Sequence, residues 1–161
     1  MVTLSKIMVG CDFSDYSKMT LEYAASLADK YQAELIITNI INQRDVDTIL
    51  SVADKQFDRI VERDVKKLAD DYINRLTDER TLMMDQFIDE ISCSNLSVKK
   101  VIRVGTPFQE LIRTIEAEQA DLMVVGHKGR SNFAGVLFGS NAEKLLRHCP
   151  IPILSVRSVK K

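Results

Sequence analysis

Five short segments with the patterns of strands, separated by stretches with helical spacing, limit the folds open to this chain more than any other feature. The segments are KIMVG (6–10), AELIITNII (33–41), SVKKVIRVG (97–105), DLMVVG (121–126) and PIPILSVR (150–157). Short apolar runs are typical of strands that are buried on both faces, whereas SVKKVIRVG alternates and ends in Gly, which also predicts a strand. Strands that alternate with helices form a parallel sheet covered by helices. The sequence therefore predicts an α/β fold: a five-stranded parallel sheet with helices on both faces.

Three stretches between these segments carry signals for the start of a helix. Ser14 is a candidate N-cap directly after the first strand. Thr106 and Pro107 suit the N-cap and the first position of a helix that follows the third strand. Ser140 and Glu143 have the spacing of a capping box, which predicts a short helix before the last strand.

Residues 43–95 form the longest stretch between two predicted strands. Charges of both signs fill most of it, which is typical of a solvated helix face, although a partner surface or a lid would also fit. We expect one very long helix, or two helices broken near LTDERT (76–81), as an extended helical segment of a single domain that spans residues 1–161. The predicted apolar face consists of Phe57, Val61, Val65, Leu68, Tyr72, Leu76, Met83, Phe87 and Ile91.

The overall composition argues against several classes of partner. Lys and Arg number 22 against 23 Asp and Glu, and a net charge of −1 does not favour nucleic acid or an anionic membrane. No apolar run approaches the roughly 20 residues of a spanning helix, and no signal peptide is visible. The three cysteines, Cys11, Cys93 and Cys149, have neither disulfide nor zinc spacing, so we expect buried free thiols. These features predict a cytoplasmic protein that binds neither nucleic acid nor membranes.

The stretch GHKGRSNFAGVLFGS (126–140) follows the fourth strand and holds four glycines. Ligands of open parallel sheets bind beyond the carboxyl ends of the strands, so this loop and GCDFSD (10–15) should flank one crevice. Gly126 and Gly129 let the backbone approach a ligand, because no Cβ intervenes. A helix opening at Gly139 and Ser140 offers unpaired amides and a positive dipole end to an anion such as phosphate.

The side chains near this loop fit the same interpretation. Ser140 adds a hydroxyl, and Lys128 and Arg130 add positive charge. Asp12 could accept from a ribose hydroxyl or hold a metal bridged to phosphates. The alternatives are that the loop is a plain turn and that Asp12 and Ser140 only cap helices. The dinucleotide fingerprint, the Walker loop and the serine-hydrolase elbow are absent from the sequence. No pairing of a nucleophile with a base can be assembled from the residues.

The spacing Gly126-x2-Gly129-x9-Gly139-Ser140 resembles the nucleotide-binding signature of the universal stress protein family, G-x2-G-x9-G-[ST]. KIMVGCDFSDYS, VGTPFQELI and GSNAEKLLRHCPIPILSVR are similar to further segments of that family, so only residues 43–95 lie outside the resemblance. The resemblance implies a Rossmann-like sheet of strand order 3-2-1-4-5 and ATP binding, often with a divalent metal such as Mg or Mn. It also implies a homodimer formed through the last strand, Ile151 to Arg157.

The family's site residues can be carried over by position. The resemblance places Asp12 and the Ile40 backbone against adenosine, Val125 and Gly126 along the ribose, and the phosphates on Gly129, Gly139, Ser140 and Asn141. Asn141 and the long charged segment depart from the usual pattern. We expect an ATP-binding regulatory protein of the stress response that acts as a dimer and hydrolyses ATP slowly or not at all. A slow Mg-dependent nucleotide hydrolase and an interaction module with a vacant nucleotide pocket are the alternatives.

Overall fold

The computed structural model describes residues 3–56, 62–91, 96–127 and 139–157. Adjacent strands are paired in parallel, in the order β3-β2-β1-β4-β5. The predicted fold class and strand order are therefore confirmed. The strands are β1 (Lys6–Gly10), β2 (Glu34–Asn42), β3 (Val98–Gly105), β4 (Leu122–Gly126) and β5 (Ile153–Val156).

Helices cover both faces of this sheet. Successive residues of each strand point to opposite faces, so each apolar strand packs against helices on both sides. The helices are α1 (Asp15–Tyr31), α2 (Gln43–Gln56), α3 (Glu62–Asp89), α4 (Pro107–Glu118) and α5 (Ser140–His148). Ile7, Val9 and Ile37 face α1 and α3 in one buried cluster. Met8 and Ile36 face α4 and α5 in a second cluster on the other side. None of the helices within the described residues is both long enough and apolar enough to cross a bilayer.

The starts of the helices agree with the sequence in part. Ser14 caps α1 as predicted, since its hydroxyl accepts from the Ser17 amide at 3.3 Å. Thr106 occupies the N-cap position of α4, but its side chain makes no capping bond. The predicted capping box of α5 is wrong, because Gly139 is the N-cap and Ser140 is the first helical residue. A side-chain cap is made from the N-cap position, which Gly139 occupies. The Ser140 hydroxyl therefore does not cap the helix and is available to a ligand.

The extended segment forms two helices, but the break does not fall where the sequence suggested. Helix α3 runs without interruption through residues 76–81. The stretch LTDERT contains neither Gly nor Pro, so nothing in it forces a break. The hydroxyls of Thr77 and Thr81 instead donate to the carbonyls four residues earlier, each at 2.8 Å. Residues 57–61, between α2 and α3, lie outside the described residues.

Near the C-terminal end of α3, the predicted apolar face is confirmed at Phe87 and Ile91 but is wrong at Met83. Met84 is fully buried, whereas the predicted Met83 is 39% exposed and Leu68 is 44% exposed. Starting from Met84, the residues three, four and seven positions on are Phe87, Ile88 and Ile91, and all pack against the cluster beneath α1. Met84, Phe87, Ile88 and Ile91 thus follow the i, i+3, i+4, i+7 spacing of one helix face. The sequence interpretation instead places Met83 on this face, seven residues after Leu76.

Candidate functional site

A cavity of about 530 Å³ lies at the carboxyl ends of β1, β2 and β4. It occupies the place where ligands bind in open parallel sheets, beside the strand at which the order reverses. Seven of the nine predicted site residues line it, whereas Gly129 and Arg130 lie outside the described residues. The seven are Asp12, Ile40, Val125, Gly126, Gly139, Ser140 and Asn141. The structure thus brings together residues that are up to 129 positions apart in the sequence.

The loop after β1 holds Asp12 in a fixed place at the rim of the cavity. Asp12 Oδ1 accepts from the Ser14 amide at 3.1 Å, from the Ser14 hydroxyl at 2.6 Å and from the Ser17 hydroxyl at 2.5 Å. Phe13 between them has a φ of 61°, an uncommon backbone conformation for a side chain of this size. Its ring packs edge-on against Phe87 of α3, with 5.8 Å between the ring centroids. Since Ser14 caps α1, Asp12 is not itself the cap.

The end of β2 supplies a polar group that the sequence did not single out. Thr38 is 1% exposed and lines the cavity, yet its hydroxyl has no hydrogen-bond partner within the described residues. A buried hydroxyl without a partner costs about 1–3 kcal/mol by mutational measurements. A polar group of a ligand in the cavity could relieve this cost.

We therefore expect Thr38→Val, which removes the hydroxyl and keeps the shape, to raise the free energy of unfolding by about 1 kcal/mol or more. Thr20→Val is the matched control, because Thr20 is equally buried but its hydroxyl donates to the Tyr16 carbonyl at 2.6 Å. That variant should lose about 1 kcal/mol. Urea denaturation of both variants checks the difference in sign, and equal losses would contradict the interpretation of Thr38.

The first turn of α5 forms the opposite wall of the cavity. Ser140 and Asn141 are exposed and Gly139 is half-buried, and no side chain within the described residues caps this turn. Gly139 is anchored, because its amide donates to the His127 carbonyl at 2.8 Å. The amides at the start of the helix therefore open towards the cavity with the positive end of the helix dipole behind them. This wall can hold an anion.

His127 and two of the cysteines lie close to the cavity or to α5. The His127 ring is half-buried, with its Nδ1 3.3 Å from the Val156 carbonyl and its plane edge-on to Tyr16. Cys11 is buried as predicted, whereas Cys149 is half-buried. Cys93 lies outside the described residues.

Cys11 lines the cavity as a neutral thiol, because its burial raises its pKa to about 11. The ordinary cysteine pKa is about 8.5, so between these values the folded chain keeps a proton that the unfolded chain releases. The resulting stabilisation is complete below pH ~8.5 and is lost as the pH rises towards the folded pKa. We expect the melting temperature to fall more steeply from pH 8 to pH 10.5 in the wild type than in Cys11→Ala. Equal slopes would contradict this account.

Two carboxylates that could bind a divalent metal, Asp12 and Asp45, line the cavity. No group of three or more His, Cys, Asp or Glu side chains within the described residues could hold a metal. Mg²⁺ commonly takes one or two carboxylates together with phosphate oxygens and waters. Asp12 and Asp45 are therefore the carboxylates that the described lining could offer to such a metal.

Comparison with known proteins identifies the family. The family model described as "Universal stress protein family" matches residues 3–157. The chain belongs to the universal stress protein family. Its sequence is 25% identical to universal stress protein MJ0577 of Methanocaldococcus jannaschii over 162 aligned positions, which cover 97% of this chain and 96% of that protein.

Solved structures of universal stress proteins share the fold. The structure of MJ0577 superposes with a TM-score of 0.80 at 23% identity, covering 99% of this chain and all of the other. UspA of Lactobacillus plantarum gives a TM-score of 0.70 at 20% identity, with 98% and 100% covered. A universal stress protein solved in complex with cAMP gives 0.59 at 23% identity, with 96% and 98% covered. The sheet of this universal stress protein is therefore the family's sheet.

Several residues around the cavity of this universal stress protein were missed by the sequence interpretation. Thr38, Asn42 and Asp45 line the cavity, because β2 runs on past the end of β1 and α2 begins directly at its rim. Asn42 also accepts from the Arg44 amide at 3.2 Å, in the first turn of α2. Polar residues at the end of an otherwise apolar strand, TNIIN (38–42), were the signal in the sequence that could have indicated them.

Proposed function

We propose that this universal stress protein is a dimeric cytoplasmic regulatory protein that binds ATP and hydrolyses it slowly or not at all. The observation that carries the proposal is the open first turn of α5, which faces the end of β2 and Asp12 across one cavity. The cavity volume of about 530 Å³ lies within the range of small-molecule sites. A nucleotide matches this combination of an anion-binding wall and a half-apolar interior.

The phosphate chain belongs at α5 in this proposal. The amides of the first turn and the helix dipole favour negative charge, and the Ser140 hydroxyl is not used as a cap. Gly126, at the end of β4, lets the chain pass close to the ligand without a Cβ in the way. Gly129 and Arg130, which we propose as further phosphate contacts, follow it in the sequence.

The adenosine belongs between the ends of β1 and β2. Ile40 and Val125 are buried apolar side chains in the cavity lining, and they suit one face of a base or a ribose. We propose that Asp12, which lines the cavity, accepts from a ribose hydroxyl and that the Thr38 hydroxyl pairs with a polar atom of the ligand. The complex of another universal stress protein with cAMP supports an adenine nucleotide as the class of ligand.

The cavity is better suited to binding than to catalysis. The titratable side chains in its described lining are Cys11, Asp12 and Asp45, and neither histidine of the chain is among them. Cys11 stays protonated near neutral pH, and Asp12 Oδ1 already accepts three hydrogen bonds from its own loop. A general base with a pKa near neutrality is what efficient hydrolysis would need. We therefore propose that ATP is sensed and only slowly consumed.

The two edges of the sheet support dimerisation through β5. The β3 edge carries Lys99 and Lys100, which pair with Glu118 and Asp85 at 2.5 and 2.6 Å, and such lysines discourage edge-to-edge pairing. The β5 edge reads ILSV, and its Leu154 is 36% exposed. An apolar edge strand without charges is a surface that a second copy of the chain can cover.

We expect Leu154→Lys to convert a dimer into a monomer, because it places a charge at the centre of the paired edge. Light scattering after size exclusion measures the mass directly. Leu146→Lys is the matched control, since Leu146 is 43% exposed on α5 rather than on the edge strand. A wild-type monomer, or dissociation by both variants alike, would contradict dimerisation through β5.

Calorimetry with the purified protein tests the function. We expect saturable heat with ATP at one site per chain, and turnover with Mg²⁺ well below the roughly 1 per second of ordinary enzymes. Titration with cAMP, AMP and ADP shows which nucleotide the site prefers. Absence of heat with all four would leave the interaction module as the better account. Turnover at ordinary enzyme rates would establish the hydrolase.

A further inference from the structure

Helix α3 reaches the rim of the cavity with one guanidinium. Arg80 Nη1 donates to Asn39 Oδ1 at 2.5 Å and to the Ile40 carbonyl at 3.3 Å. Asn39 is 2% exposed, and its amide nitrogen donates in turn to the Cys11 carbonyl at 2.7 Å. One side chain of the charged helical segment is thus joined to the carboxyl ends of both β1 and β2.

The carbonyl that Arg80 contacts faces the cavity. The Thr38 carbonyl accepts from the Cys11 amide at 2.9 Å, on the β1 side of β2. Carbonyls two residues apart in a strand point the same way, so the Ile40 carbonyl also points towards the β1 side. There β1 has already ended at Gly10, and Ile40 lines the cavity. A carbonyl oxygen has two lone pairs, so one remains for a ligand beside Arg80.

A second contact joins the same face of α3 to the loop after β1. Phe87 lies seven residues, or about two helical turns, after Arg80, and its ring packs on Phe13, the neighbour of Asp12. Met84 lies between them and is fully buried. Helix α3 therefore holds the loop after β1 and the end of β2 at once, from one rigid face.

From these contacts we infer that Arg80 is a positioning residue for the base-binding end of the pocket, and that through it α3 responds to nucleotide binding. The inference rests on the proposed function. Arg80 orients the Ile40 carbonyl and Asn39, which fixes the gap between β1 and β2 where the adenosine lies. The phosphate end, on α5, does not depend on it. A ligand that contacts the Ile40 carbonyl restrains the Arg80 contact and with it the middle of α3.

The test compares Arg80→Met with Arg75→Met. Both remove one positive charge from α3, but the Arg75 side chain is 73% exposed and meets only Glu79, at 3.6 Å, among the ion pairs of the described residues. Calorimetry is run with ATP, adenosine and inorganic tripolyphosphate. We expect Arg80→Met to lower the affinities for ATP and adenosine about tenfold and to leave the affinity for tripolyphosphate unchanged. Arg75→Met should have the wild-type affinities for all three. An equal loss of affinity for tripolyphosphate, or no loss of affinity for adenosine, would overturn the inference.

Hydrogen exchange on the wild type keeps the inference testable even if Arg80→Met does not fold. ATP should slow exchange of the amides around Arg80, at residues 76–84, more than at residues 66–72 of the same helix. Unchanged exchange at 76–84 with ATP bound would overturn the inference and leave the proposed function standing. A wild type that binds no ATP would overturn the proposed function, and the inference with it.

Discussion

Ser140→Asp should reduce the affinity for ATP at least a hundredfold while leaving the fold intact. Ser140 is the exposed first residue of α5, and a carboxylate there would face the phosphate chain. Two like charges 4 Å apart repel by about 4 kcal/mol at the effective dielectric constant near a protein surface. The same carboxylate interacts favourably with the N-terminal end of the helix dipole, which is worth about 0.3–1 kcal/mol. The ligand-free variant should therefore be as stable as the wild type or slightly more stable. Calorimetry and thermal unfolding measure the two effects separately.

Two further variants separate the charge effect from other causes. Ser140→Ala removes only a hydroxyl and should lower the affinity for ATP by less than about tenfold. Ser26→Asp adds the same charge on an exposed position of α1, nine residues after Ser17 and so about 13 Å further along the helix axis. It should leave affinity unchanged. If Ser140→Asp bound ATP as tightly as Ser26→Asp, the phosphates would not lie at α5.

Met84→Ala should lower the free energy of unfolding by about 2–5 kcal/mol, the largest effect on stability that we expect from a single substitution in α3. Met84 is fully buried between α3 and the sheet, in the cluster that also contains Leu21 and Ile37. Truncation removes apolar contact and leaves a cavity that the surrounding strands cannot close. Urea denaturation monitored by circular dichroism measures the loss.

Met83→Ala is the control for this prediction. The two residues are chemically identical and adjacent, but Met83 is 39% exposed, so its truncation should cost no more than about 0.5 kcal/mol. Similar losses for both variants would mean that α3 does not pack through the face defined by Met84, Phe87 and Ile88. The coupling of α3 to the cavity would then lose its structural basis.

The sheet could be predicted from the sequence because its signals are local. Four of the strands are short, largely apolar runs closed by Gly or by polar residues, and the third alternates and ends in Gly. Parallel pairing follows from the alternation of strands with helices. The gathering of Asp12, Gly126 and Gly139 at one crevice followed for the same reason, since the carboxyl ends of parallel strands share one edge. The strand order itself came from the resemblance to the family.

The details that the sequence did not predict depend on contacts between distant segments. Arg80 sits in a run of charged residues whose pattern is that of a solvated helix, and only the packing of α3 on β2 and β3 brings it to Asn39. The pattern placed Met83 on one face with Phe87 and Ile91, and only the packing of α3 on the sheet makes Met84 the buried methionine. Gly139 rather than Ser140 is the N-cap of α5, because glycine is accepted at an N-cap without a side-chain hydrogen bond.

If the amides at the start of α5 bind the phosphates of ATP, titration of ¹⁵N-labelled protein with ATP should shift the backbone amides of residues 139–142 more than any others. We expect these shifts to saturate at the calorimetric affinity, and we expect tripolyphosphate but not adenosine to reproduce them. Saturable ATP binding that leaves these four amides unshifted would show that the phosphates do not lie at α5.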